Sequence, residues 1–233
     1  VETTVNSLKE LGAEPFIVSA MGSHGGGTEE GQREVLAGYG ITEERLGVPV
    51  VTTVDTVYLG NCANGRPVWF DRAAYEADLI VPINRVKLHT DFVGPIQSGL
   101  CKMLVIGLGN HKGCSAVHEE APEVFADAIE ETARLILQKA PVGFGIAILE
   151  NAYDKTYAVE AVPAEHLVER EKELVQIAKG NMPYIMLDEA DVIVCGAIGK
   201  DISGAGFDPN ILGRSSVLKQ FVLHIPRYQR LVL

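Results

Sequence analysis

The chain has 233 residues, 47% of them hydrophobic, with 31 acidic against 20 basic residues for a net charge of -11. That length and apolar content suffice for a proper core, in one large domain or two small ones. The negative charge repels nucleic acid and anionic membrane surfaces, so an anionic substrate has to be caught by a local basic pocket.

In chain order, VETTVNSLKELGAE places Val5, Leu8 and Leu11 at helical spacing and closes on Gly12, which predicts a first helix. PFIVSAMG reads as a buried parallel strand. The glycine bend that follows, GSHGGGTEE, leads into a helix with Thr28 as N-cap, Glu29 and Glu30 in its first turn and an end near Gly38. A bend of this kind at a helix N-terminus either makes a tight structural loop or offers backbone N–H groups to a phosphate or carboxylate; His24 stands beside it. Residues 47–70 turn short and β-rich, with the Asn64-Gly65 dipeptide predicting a hairpin or meander. DRAAYEAD gives a short helix and 79–83 a strand. EEAPEVFADAIEETARLILQKA follows as a long amphipathic helix with Phe125, Ala128, Ile129 and Ile136 inward and its acids on a solvated face. VGFGIAILEN and YAVEAVP are strands, AEHLVEREKELVQIAKG a helix capped by Gly180, and DVIVCGAIG a buried strand. The expected class is α/β: a mostly parallel, Rossmann-like sheet flanked by helices over 1–180, then a linker near 180–183 and the start of a second, incomplete α/β domain over 181–233. The chain opens in a helical pattern rather than on methionine, so an internal piece of a longer protein is expected.

Cys62, Cys101, Cys114 and Cys195 are widely spaced without a CxxC pair, which fits a reducing, cytoplasmic compartment better than a disulfide framework. No apolar run reaches the roughly 20 residues of a membrane span, and no signal-like segment opens the chain.

Residues 84–118, NRVKLHTDFVGPIQSGLCKMLVIGLGNHKGCSAVH, hold three of the six histidines and three lysines around two glycine-rich bends, after a strand-like run. His24, His89, His111 and His118, with Lys87, Lys102 and Lys112 interleaved, make an electropositive pocket in an acidic protein. Paired histidines serve as acid and base, a neutral imidazole binds a metal, and lysines hold a carboxylate or phosphate or form a covalent link. The spacing matches neither HExxH nor a cysteine zinc site. Lys102, between Leu100-Cys101 and MLVIGLG, is a buried lysine in an apolar run. An ion pair, a side chain that snorkels to solvent and a nucleophilic amine are the three ways to relieve its charge.

GSHGGGTEE, the segment from His89 to Lys102 and the interval from Lys102 to His118 resemble the nickel-dependent lactate racemase family, including its uncharacterised relatives. The resemblance runs over most of the chain and implies a set of roles. His24 and His89 fall on the family's two catalytic acid/base histidines. Lys102 falls on the lysine that becomes covalently attached to a nickel-pincer nucleotide, a thioamide derivative of nicotinic acid mononucleotide, and His118 on the nickel ligand. Gly25 and Gly26 fall in the bend beside the cofactor, and Lys200, Asp208, Asn210 and Arg214, in GKDISGAGFDPNILGR, are carried over as further cofactor- and substrate-side groups. The interval from His89 to Lys102 is a few residues longer than in lactate racemase proper, and the family's amino-terminal arginine motif is absent from this chain. The implied activity is racemisation or epimerisation of a 2-hydroxy acid, an isomerase reaction on a small molecule without nucleic acid or membrane partners. The alternative is a non-racemase relative that binds a metal or phosphorylated ligand in the same pocket. The site is expected in a cleft between the two parts of the chain.

Overall fold

The structure, a computed structural model, describes residues 1–121, 123–199, 201–215, 220–221 and 226–232. Its first helix, α1 (Glu2–Glu10), ends as expected at a left-handed Gly12, but Leu11 falls just beyond the last turn and is 83% exposed rather than core. Val5 anchors α1 to a small satellite cluster with Leu46 and Val48. Two short parallel strands follow, β1 (Ile17–Val18) and β2 (Val50–Val51), separated by α2 (Glu29–Gly38) and α3 (Glu43–Leu46). Thr28 caps α2 by accepting from the Gly31 N–H at 3.2 Å, as its position before two glutamates predicts.

The Asn64-Gly65 signal is met by an antiparallel hairpin of β3 (Thr56–Asn61) and β4 (Pro67–Asp71), then α4 (Arg72–Tyr75). The strand expected over 79–83 forms later. Ile80 makes a lone bridge to Val142, and β5 (Ile83–Arg85) pairs in parallel with β6 (Phe144–Glu150). Pro82 lies between, where its missing N–H interrupts the ladder. β6 also pairs antiparallel with β7 (Thr156–Pro163), making a three-stranded mixed sheet that carries the site loop on one edge strand.

Between β5 and β6 run α5 (Leu100–Lys102), a π-helical turn over Met103–Gly107, α6 (Asn110–His118) and α7 (Phe125–Lys139). The main core forms where these meet the sheet and α8 (Leu167–Asn181). Phe70, Ile96, Leu100, Leu104, Ile129, Ile136, Leu149, Leu167 and Leu174 are all essentially inaccessible, each worth about 1.5–3 kcal/mol by burial alone. The apolar stripe of α7 is the one its periodicity predicts. Its acids are less idle than a solvated face: Glu130 bridges Arg134 and Lys172, and Glu131 meets Arg66 at 2.8 Å.

α8 runs through Gly180 to Asn181, so Gly180 is no terminator; with nothing within 4 Å of its Cβ position it sits at an open face of the last turn. The main core takes its side chains from positions up to Met182. Beyond it, β8 (Glu189–Val194) pairs in parallel with β11 (Arg227–Val232), and α9 (Pro209–Leu212) precedes β9 (Arg214–Ser215) and β10 (Gln220–Phe221). β8 was expected to be buried and is not. Among the described residues its sheet has two strands only, and Val194 is 69% exposed. The class is thus α/β as expected, with the described strands divided among five small sheets.

Candidate active site

The loop between β5 and α5 carries His89, and its base is closed by a two-way backbone pairing of Lys87 with Ser98. Inside it, Gln97 Oε1 accepts from the His89 N–H at 2.8 Å, and Asn210 of α9 donates from Nδ2 to the His89 carbonyl at 2.9 Å. The backbone of His89 is therefore held at both polar atoms, by two amides far apart in sequence. Its ring stacks on Phe92 with centroids 4.3 Å apart; Phe92 tilts against Phe125, and Phe125 against His118. That row of rings ties His89 to His118.

Lys102 Nζ lies 2.5 Å from His89 Nε2, and the Asp91 N–H donates to His89 Nδ1 at 3.1 Å. A neutral imidazole carries one ring proton. With Nδ1 used as acceptor, that proton stands on Nε2, where the Lys102 amine accepts it once unprotonated. Electrostatics agree in direction. Burial, then the Lys102 charge, then His118 and Lys87 push His89 down to about 3. Burial, opposed by Asp91 and helped by Lys87, brings Lys102 down to about 8. His118 is also lowered, by burial and by Lys102, which favours the neutral, ligating imidazole.

The helical turn that presents Lys102 is fixed from two sides. Asn84 of β5 donates to the Gly99 carbonyl at 2.9 Å, and the fully buried Glu171 of α8 accepts from the Cys101 N–H at 2.9 Å. A Cβ on Gly99 would come within 2.6 Å of the Glu171 carboxyl. After the π-helical turn, Asn110 takes a left-handed φ of 50° while its amide donates to Asp71 at 2.8 Å, which re-aims the chain into α6.

His24 is brought in by backbone contact. The Gly22 N–H donates to the Gly107 carbonyl at 3.0 Å, and Ser23 Oγ lies 3.9 Å from Cys114 Sγ, one turn before His118 on the same side of α6. Behind the loop, the buried Gln32 donates to the Gly22 carbonyl at 3.1 Å and accepts from Ser19. The His24 ring is exposed, and the 2.9 Å contact from its Nδ1 to the Met21 carbonyl puts the proton on Nδ1 and leaves the Nε2 lone pair open. At Gly25 a Cβ would strike the Gln32 amide at 2.6 Å, so this glycine serves the fold; at Gly26 nothing lies within 4 Å.

His89, Lys102 and His118 are thus neighbours, and the His24 loop packs on the helix that bears His118. Lys112 turns elsewhere, over the Trp69 ring at 4.8 Å. It lines a separate cavity of about 670 Å³ with Arg66, Glu119 and Glu120, where Arg66 is already paired to Glu120. In the later segment Asp208 caps α9 through the Asn210 N–H, Asn210 holds His89, Arg214 is exposed on β9, and Lys200 lies outside the described residues. Gln97, Asp91 and Phe92, which set the His89 ring and backbone, are not singled out by the sequence, and Phe125 is singled out only as an inward residue of α7. Their roles depend on a loop closure that has no sequence period.

No three acidic, histidine or cysteine side chains cluster as a metal site among the described residues. His118 therefore offers a single donor, suited to a metal whose other ligands come from a bound organic group, and Lys102 offers a free amine to anchor such a group. The four cysteines are free, and no described helix is long and apolar enough to cross a membrane.

Comparison with solved structures gives the lactate racemase apoprotein from Thermoanaerobacterium thermosaccharolyticum, at 16% identity and a TM-score of 0.61, covering 83% of this chain and 48% of that one. The chain thus spans about half the length of that racemase and shares its fold. A search of curated proteins gives no match. A sequence model described as the lactate racemase N-terminal domain matches residues 1–127, more than half of the chain, and on that match the chain belongs to the lactate racemase N-terminal domain family.

Proposed function

We propose that the chain carries the acid/base and cofactor-anchoring machinery of a cytoplasmic racemase or epimerase of a 2-hydroxy acid, with a nickel-pincer nucleotide as its cofactor. The observation that carries this reading is the 2.5 Å contact of Lys102 with His89: with the Asp91 N–H on Nδ1, the ring donates from Nε2 once the lysine is unprotonated, and burial brings that lysine down to about 8, toward the nucleophilic form. Lys102 holds the group covalently and His118 supplies one metal donor. When bound, that group supplies the hydride acceptor and donor of the reaction. The protein's own work is proton handling. His24, with its proton fixed on Nδ1 by Met21, takes the substrate hydroxyl proton at Nε2; His89 serves the opposite face. Gly25 and Gly26 beside His24, and Asn210 behind His89, complete the surroundings of cofactor and substrate, while Asp208, Arg214 and Lys200, the last outside the described residues, are assigned to the cofactor or substrate on the family resemblance.

General acid–base help of this kind contributes on the order of 10² to 10⁴ in rate. His24→Ala and His89→Ala, assayed for racemisation of 2-hydroxy acids on cofactor-loaded protein, should each lose activity by about that factor. Undiminished racemisation by either variant would remove its histidine from the mechanism.

A further inference from the structure

His89 enters the proposed mechanism as an acid/base, yet its Nε2 is occupied by Lys102 at 2.5 Å, and its Nδ1 by the Asp91 N–H at 3.1 Å. With the Asp91 N–H on Nδ1, the arrangement is that of an Nε2–H donating to an unprotonated amine, the form Lys102 takes above about pH 8. Acylation changes one partner. The nitrogen lone pair of an amide or thioamide is delocalised, so an acylated Nζ keeps a single N–H and becomes a donor. Two N–H groups would then confront each other across a distance that only a donor and an acceptor tolerate.

We propose that acylation of Lys102 is the event that releases His89. The free amine holds the ring in its Nε2–H form, and formation of the amide expels the ring from this contact, leaving Nε2 available for proton transfer. The inference rests on the reading that Lys102 carries the cofactor and adds an order of assembly to it: anchoring first, acid/base competence second. The covalent step balances without an oxidant or reductant. The Nζ lone pair forms a C–N bond to the carbonyl or thiocarbonyl carbon of an activated acyl compound, the leaving group departs with its bonding pair, and an Nζ proton passes to solvent.

The surroundings permit the movement. Gln97 and Asn210 grip the backbone of His89 and not its ring, so the ring is held by the Asp91 N–H at Nδ1 and by Phe92, stacked on it at an interplanar angle of 29°, and a pivot about Nδ1 keeps both contacts. The charged and titratable groups acting on the pair are Lys87, His118, Asp91 and Cys114, besides the two themselves. Below about pH 8 Lys102 gains a proton of its own, and that charge is the largest repulsion on an imidazolium at His89, second only to burial in holding it at about 3; acylation abolishes it at every pH.

Histidine two-bond ¹H–¹⁵N spectra read this directly on the unloaded chain, before and after acetylation by an N-hydroxysuccinimidyl ester, with the modified lysines located by peptide mass. Unmodified and above about pH 8, where the Lys102 amine is unprotonated, His89 should be an Nε2–H tautomer, and its ring should gain no second proton above about pH 5. After acetylation its midpoint should rise by about two pH units or more. Lys102→Met, which brings neither charge nor N–H, should titrate near the acetylated chain and should change on acetylation only by the lesser effect of Lys87, the last of the causes that lower His89. An Nδ1–H tautomer in the unmodified chain above about pH 8, or one midpoint shared by all three forms, would overturn the proposal. Neither result depends on cofactor attachment, so a chain that never acquires the cofactor would sink the functional reading and leave this one to its own test.

Discussion

At Gly22 two backbones meet without side chains between them. A Cβ there would stand 2.8 Å from the Ile106 carbonyl, and one on Gly107 would stand 2.7 Å from the Ala20 carbonyl. This bare contact is what seats the His24 loop on the helical segment following Lys102, and Gly22 also has a φ of 61°. Gly22→Ala should therefore cost about 1–3 kcal/mol in urea unfolding and displace His24. Gly26→Ala, with a φ of 70° but open space around it, should cost only about 1–2 kcal/mol and leave the loop in place. Equal costs would mean that the contact does not define the loop. The histidines and Lys102 were legible because charged and imidazole groups in glycine-punctuated apolar sequence have few structural reasons to be there. That Lys102 meets the His89 ring, and not a carboxylate or solvent, depends on a loop that also folds Asp91 back onto Nδ1, which no pattern of residue types encodes.

The segment from Leu100 to Gly107 is one helical run that ends in a π-turn, Asn110 re-aims the chain from there into α6, and the start of the run is capped from outside. Glu171, a heptad-like charged position in the middle of α8, was indistinguishable in sequence from the exposed glutamates around it. In the fold it is inaccessible and accepts from the Cys101 N–H, and burial raises it from 4.5 to about 7. A carboxyl whose folded value lies above its unfolded one binds a proton on folding. Its stabilisation is complete below the unfolded value near 4.5 and is lost as pH rises through 7, up to about 3 kcal/mol. Glu171→Gln keeps an acceptor for the cap and should flatten that slope, raising stability at pH 8 relative to the parent when thermal unfolding is followed from pH 4.5 to 8. A parent whose stability instead climbs over that range would show the carboxyl to be ionised at little cost. The stripe of α7 was readable because its period is intrinsic to the helix; Ile129→Ala, at full burial, should cost about 2–5 kcal/mol.

Across the whole molecule, the segment after α8 meets the site at one described hydrogen bond, from Asn210 to the His89 carbonyl, made by residues 121 positions apart. Long-range ties of this sort are invisible in sequence, since nothing local selects the partner. The division of the strands into small sheets was equally hidden, because apolar runs give strand identity and not pairing. Asn210→Ala leaves a carbonyl without its partner and should cost about 1–3 kcal/mol, with kcat falling while urea unfolding remains cooperative.

The central claim is that Lys102 anchors the cofactor and His118 ligates its nickel. Peptide mass mapping with metal analysis, on protein made in cells that build the pincer nucleotide, addresses both halves at once. The parent should carry the adduct on Lys102 with nickel bound, Lys102→Ala should lose both with its fold intact, and His118→Ala should keep the adduct and lose the nickel. An adduct on Lys87 or Lys112, or metal bound with no lysine adduct at all, would contradict the account and return the chain to the reading of a metal- or phosphate-binding relative.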